Sequence, residues 1–240
     1  QQRPGRYVLL HVAHRHPARK RPFKGGAMTS SSVATVFVVD DDEAICRALG
    51  RLIRAAGHVV ACFGSAQTFL SADVRTAGTA CLVLDVGLPD INGLELQREM
   101  NAAGKAMPII FLTGRGDIAM TVRAMKAGAT DFLSKPVNET DLLRAIDLAL
   151  QRSSHELSRR SELEAIRTRM SLLTPRERQV LTLLVKGRMN KQVACELGIA
   201  EKTIKVHRAR VMEKMATRSL VELVRVTDKV PPFSASPSIS

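Results

Sequence analysis

Apolar positions recur in two rhythms along the chain. Between residues 34 and 150, short unbroken apolar runs ("TVFVVD", "HVVACF", "CLVLD", "PIIFLT", "TDFLSK") alternate with longer segments whose apolar residues return every three or four positions. Those longer segments are "EAICRALGRLIRAAG", "GLELQREMNAAG", "DIAMTVRAMKAG" and "ETDLLRAIDLALQR". An unbroken apolar run suits a strand covered on both faces, and a return every three or four residues suits an amphipathic helix. Five such strands interleaved with helices predict an α/β domain with a parallel sheet covered on both faces; in the flavodoxin-like order 2-1-3-4-5, its first and third strands would flank the switch point. Gly57, Gly104 and Gly128 follow helical segments and suit left-handed C-terminal caps.

Past residue 150 the strand rhythm stops. Residues 152–171 are charged, with Leu157, Leu163, Ile166 and Met170 at roughly helical spacing, which predicts a helical linker. "TPRE" then signals a helix start, with Thr174 as cap, Pro175 in the first turn and Glu177 closing a capping box. Gly187 and Gly198 mark later stops, so a small all-α domain of about four helices is expected over 172–228. In "EKTIKVHRARVMEK", stepped at 100° per residue, Ile204, Val211 and Met215 share one direction to within about 20°. Lys202, Val206, Ala209 and Arg210 lie opposite, with Lys205 at the margin. Ala200 stands at the cap of this helix without a capping oxygen. The stretch 33–151 is expected to be the first domain. Residues 1–32 are read as a disordered basic extension and 229–240 as a disordered tail.

Charge separates the two blocks. Residues 1–32 carry +7, residues 33–152 carry −2, and residues 153–240 carry +8 of the net +13. The basic second block predicts an anionic partner, nucleic acid first. No apolar run approaches the roughly 20 residues needed to span a bilayer, so no membrane partner is expected. Cys46, Cys62, Cys81 and Cys195 have no CxxC spacing, which predicts reduced thiols and a cytoplasmic location rather than a disulfide frame or zinc site.

The chemistry gathers at strand ends. In an open α/β sheet, ligands sit at the carboxyl ends of the strands, near the point where strand order reverses. Asp40 and Asp41 end the first strand, Asp85 the third, Thr113 the fourth and Lys135 the fifth. Asp42 is expected to start the first helix. Convergent carboxylates suit a hard cation such as Mg²⁺, which takes oxygen ligands and keeps several waters. With these five residues matching at the strand ends, residues 34–150 resemble the receiver domain of bacterial response regulators. The stretch "TGRGDIAMTVRAMKAGATDFLSKP" is similar to the FixJ branch of the NarL/FixJ family. That resemblance implies Asp85 as phosphoacceptor, with Thr113 and Lys135 assisting. It also implies Mg²⁺ held by Asp40, Asp41, Asp85 and the Gly87 carbonyl, and a switch pair of Thr113 and Phe132. Lys135–Pro136 is implied to be a cis peptide. Leu88 stands where the family usually has Met.

The segment from "LTPRERQVL" to "LVELVRV" resembles the LuxR-type helix-turn-helix over its full length. The resemblance assigns base-facing positions to Lys205, Val206 and Ala209. Lys202, Thr203, Arg208, Arg210 and Lys214 become candidate phosphate contacts, while His207 reads as a packed histidine. The expected function is that of a two-component response regulator. A histidine kinase would phosphorylate Asp85, and the protein would then dimerise and bind promoter DNA, with RNA polymerase as a further partner. Self-phosphorylation and slow autodephosphorylation are expected, but no enzyme in the usual sense. The competing reading is a phosphate-independent DNA-binding transcription factor with a silent receiver. A phosphatase using Asp85 as a turnover nucleophile is disfavoured because no cap domain is inserted.

Overall fold

The computed structural model of the protein describes residues 34–72, 74, 78–114, 122 and 124–230. The basic extension expected over 1–32, most of the tail, and the first part of the helix expected over 117–128 lie outside the described residues. Five strands, β1 (Thr35–Val39), β2 (Val59–Phe63), β3 (Ala80–Asp85), β4 (Ile109–Thr113) and β5 (Asp131–Ser134), form one parallel sheet in the order β2-β1-β3-β4-β5. Consecutive strand residues point to opposite faces, and both faces are covered, which is why the runs are apolar throughout. Phe37, Val39, Leu82, Leu84 and Phe111 pack on one side with Phe69, Leu96 and Met100. Val36, Val38, Cys81, Val83, Ile110 and Leu112 pack on the other with Ile53, Leu142 and Ile146.

The helices begin where the chain supplies an acceptor for their free N–H groups. Asp42 caps α1 (Glu43–Ala55), taking the N–H groups of Ala44 and Ile45. Ser65 caps the short α2 (Ala66–Ser71), which buries Ala66 and Phe69 but is too short, at under two turns, for its periodicity to be read in advance. Asn92 caps α3 (Gly93–Ala102). Gly57, Gly104 and Gly128 all have positive φ, as their places after helical segments require.

Asn138 caps α4 (Glu139–Ser171), a single helix of 33 residues. The linker expected over 152–171 is therefore the uninterrupted second half of the last receiver helix. Its first half buries Leu142, Ala145, Ile146 and Ala149 in the sheet's core. Its end contributes Ile166, Leu163 and Met170 to the core of the second domain. Leu157 does not join either core and is exposed, because the helix crosses open solvent between them. The second domain consists of α5 (Pro175–Val185), α6 (Asn190–Leu197), α7 (Glu201–Lys214) and α8 (Leu220–Asp228). The capping box at Thr174 and Glu177 is formed, and α7 starts at Ala200 with no side-chain cap.

Candidate functional site

Register places the acidic site. Val39 pairs with Leu84 across β1 and β3, so Asp40 and Asp85 leave the sheet side by side. Ligand oxygens of Asp40, Asp41 and Asp85 all lie within 4.8 Å of one another. Asp40 and Asp85 are buried, at 1% and 7% exposure, while Asp41 is open to solvent. Across the sheet, Thr113 sits level with Ser134, and the Lys135 N–H donates to the Thr113 carbonyl at 2.7 Å. That brings the Lys135 ammonium 2.7 Å from Asp40 Oδ2 and 3.2 Å from Asp85 Oδ2. The Lys135–Pro136 peptide is cis.

Burial pushes the Asp40 carboxyl above its ordinary value, against the lowering effect of Lys135 and the Asp42 N–H. Burial also disfavours the Lys135 ammonium, but its contacts with Asp40 and Asp85 outweigh it and raise the lysine. The Asp40 side chain has lost all its water, while that of Lys135 keeps some. Three carboxylates against one ammonium leave a charge of −2, which a divalent cation neutralises. Oxygens around octahedral Mg²⁺ are about 2.9 Å apart when adjacent and about 4.2 Å when opposite, so the three carboxylates are near enough to share one such ion once they draw in around it. Gly87 lies two residues beyond Asp85 in an exposed position. Phe132 is half-buried, its ring centroid 6.2 Å from that of Phe111. Burial raises Cys46 to about 11 and Cys81 to about 12, all four cysteines are free, and the Cys46 thiol donates to the Asp40 carbonyl at 3.3 Å.

The second cluster lies on α7. Ile204, Val211 and Met215 are fully buried. Lys202, Thr203, Lys205, Val206, Ala209 and Arg210 are exposed on the other side. Val206 is 46% exposed. His207 is partly covered, with its Nδ1 buried and unpartnered. Lys205 reaches Glu201 at 3.6 Å, an exposed pair on one helix face, and Arg208 donates to Asn190 Oδ1 at 3.2 Å.

Family profiles match both halves of the chain. The response regulator receiver domain covers residues 36–147, and the luxR family of bacterial regulatory proteins covers residues 171–227. The chain is 43% identical to the response regulator protein TodT of Pseudomonas putida F1 over 201 residues, 84% of this chain and 88% of that one. It is 45% identical to nodulation protein W of Bradyrhizobium diazoefficiens over 205 residues, 85% and 90% of the two chains. The chain belongs to the NarL/FixJ family of response regulators. Among solved structures, response regulator StyR matches with TM-score 0.75 at 47% identity, over 82% of this chain and all of that one. Full-length FixJ from B. japonicum matches with TM-score 0.51 at 39% identity, over 81% and 96%. No described helix of this response regulator is long and apolar enough to cross a membrane.

Two residues of the receiver that sequence reasoning passed over hold the loop after Asp85. A Cβ on Gly93 would stand 2.7 Å from the Asp85 carbonyl oxygen, inside van der Waals contact. Gly93 therefore lets α3 start directly against Asp85, with its N–H on the Val86 carbonyl at 3.2 Å. Asp90 accepts the Gln67 N–H at 2.9 Å and the Ala66 N–H at 3.4 Å, pinning the loop to the start of α2. These backbone bonds hold the Asp90 carboxyl below its usual value against the opposing effect of burial. "PDING" contained a turn signal, but nothing in it said which helix Asp90 would reach. One expected DNA contact is placed differently. The Lys214 ammonium lies 2.7 Å from Glu177 Oε2, turned into the domain rather than outward.

Proposed function

We propose that Asp85 accepts a phosphoryl group from a histidine kinase and that the phosphorylated protein binds promoter DNA as a dimer. The observation that carries this reading is the meeting of Asp40, Asp41 and Asp85 with Lys135 at the carboxyl ends of the sheet. One Asp85 carboxylate oxygen attacks phosphorus, the bond from phosphorus to the kinase histidine nitrogen breaks, and the nitrogen leaves with that electron pair. Lys135 follows the developing charge from Asp40 and Asp85 onto the transferred oxygens, and the Thr113 hydroxyl donates to one of them. Asp40, Asp41, Asp85 and the Gly87 carbonyl would hold Mg²⁺, which supplies charge neutralisation and alignment for the phosphoryl oxygens. Water later attacks the same phosphorus and returns the carboxylate, slowly and without a small-molecule substrate, so the protein is not a turnover enzyme.

In this reading, Thr113 drawn toward the phosphoryl oxygens leaves room for Phe132 to turn inward. The surface beside β5 then favours a second copy of the chain. Such a switch needs a differential free energy of only a few kcal/mol. A cytoplasmic location and contact with RNA polymerase belong to the same proposal, supported by the receiver and DNA-binding domains together.

The test is labelling with acetyl phosphate and Mg²⁺. A base-labile, acid-stable adduct on Asp85 is expected, absent in Asp85→Asn; equal labelling of that variant defeats the assignment. The adduct should also promote dimerisation in sedimentation and tighter binding to a selected duplex. Unchanged binding after full phosphorylation would favour the phosphate-independent reading instead.

A further inference from the structure

Lys214 is the last residue of α7, and its contacts differ in kind from those of the other cations on that helix. Besides Glu177 Oε2 at 2.7 Å, its ammonium donates to the Leu172 carbonyl at 3.1 Å. The Glu177 side chain is 2% exposed, and the same Oε2 accepts the Thr174 N–H at 2.8 Å. Leu172 is the residue that ends α4, and Glu177 lies in the first turn of α5. One ammonium thus ties the end of the receiver-borne helix, the start of α5 and the last turn of α7.

We propose that Lys214 is a positioning residue, which keeps its contact with Glu177 when DNA is bound and thereby holds α7 at the rotation that presents Val206 and Ala209. The inference rests on the DNA-binding reading above. Moving Lys214 out to a phosphate would strand a carboxylate that has almost no access to water, and an unpaired buried charge is costly. Lys205 faces no such barrier, since its partner Glu201 is exposed and the pair is readily exchanged. The neighbours of Lys214 point the same way. Val211 and Met215 are fully buried with Leu173, Leu181 and Ile166, so the stem of Lys214 leaves the helix at the margin of the domain's core. At 1.5 Å per residue, Val206 is about 12 Å from this fixed end along the helix axis, so a slip in rotation at Lys214 carries through to the groove-facing residues.

The test uses the full chain, phosphorylated with acetyl phosphate. Salt titrations are run on the best duplex found by in vitro selection with the parent protein and on an unrelated duplex of equal length, at a temperature where every variant is folded. Lys214→Met and Glu177→Gln should both keep the parent's salt slope while lowering the ratio of selected to unrelated affinity, by about tenfold. The double variant should do no worse than either single one. Lys202→Ala should lower the slope by about 1 and leave the ratio alone. The proposal is overturned if Lys214→Met loses about 1 in slope as Lys202→Ala does while Glu177→Gln binds like the parent. It is equally overturned if both clamp variants lose thermal stability but keep the ratio. Should Lys214→Met not fold, Glu177→Gln, which still accepts the Thr174 N–H, carries the same comparison. A parent that prefers no duplex sinks the DNA-binding reading instead. The clamp is then decided by thermal unfolding, where non-additive effects of the two substitutions support it and additive effects reject it.

Discussion

The receiver and the DNA-binding domain each concentrate charge, but they hold it in opposite ways. In the receiver, four charged groups from three separated strand ends meet in a partly buried pocket, and each depends on its neighbours. On α7 the charged groups follow one another along a single helix and stand mostly in solvent. Coupled buried charges respond sharply to a single change, whereas exposed ones respond in graded and nearly independent steps. Glu177 and Lys214 are the exception, a receiver-like pair inside the second domain.

The largest effect that would sharpen this contrast is expected at Gly93. A methyl group there collides with the Asp85 carbonyl, and overpacking of this kind costs about 1–3 kcal/mol. Gly93→Ala should lose at least about tenfold in the rate of labelling by acetyl phosphate, since a displaced nucleophile forfeits its alignment. Labelling at the parental rate would mean the loop has slack. Asp41→Ala removes the exposed carboxylate of the cluster and should abolish the Mg²⁺ dependence of labelling while leaving thermal stability nearly unchanged. Retained dependence would move the cation elsewhere.

Glu177 allows a prediction with pH. Its hydrogen bond from Lys214, with further bonds from Thr174, outweighs burial and holds the carboxyl at about 2, against an ordinary 4.5. A depressed folded value contributes stability that is fully present above pH 4.5 and lost as pH falls toward 2. Glu177→Gln should therefore cost about 1–3 kcal/mol at neutral pH, and its thermal midpoint should approach the parent's between those two values. A constant gap across that window would show the pair contributes no charge-dependent stability.

The remaining effects belong to exposed α7. Changing Val206 to a polar residue should alter preference at one base position by roughly 1–3 kcal/mol without changing the salt slope. If Lys202→Ala changes preference and Val206 substitution does not, α7 docks in a different rotation. The smallest expected change is a gain. Ala200 leaves the α7 N–H groups without a side-chain acceptor, so Ala200→Ser should stabilise the domain by about 0.5–1 kcal/mol in thermal unfolding. No gain would mean that backbone or solvent already satisfies them.

Much of both regions was legible in the order of residues. The carboxylates at strand ends, the Thr174 capping box, the Asp42 cap and the buried stripe of Ile204, Val211 and Met215 all depend on spacing within one element. What escaped depends on two elements meeting. Asp90 was passed over because the Gln67 N–H it accepts lies 23 residues away along the chain. Lys214 was a candidate phosphate contact by family resemblance alone. It lies 37 positions from Glu177, and angle around a helix says nothing about which neighbouring helix covers that angle. The linker was legible as helical, yet its fusion with the last receiver helix was not, because no Gly or Pro marks either the presence or the absence of a break near residue 151.

By itself the sequence determined the strand and helix periods, the two-domain order, the polar residues at four strand ends and the exposed face of α7, because each is a local pattern set by backbone geometry. The tertiary structure decided which charges are buried, that Lys135 spans Asp40 and Asp85, that Gly93 clears the Asp85 backbone, and that Lys214 faces Glu177. Those are properties of distance and solvent access between remote segments, and they exist only once the packed core has brought the segments together.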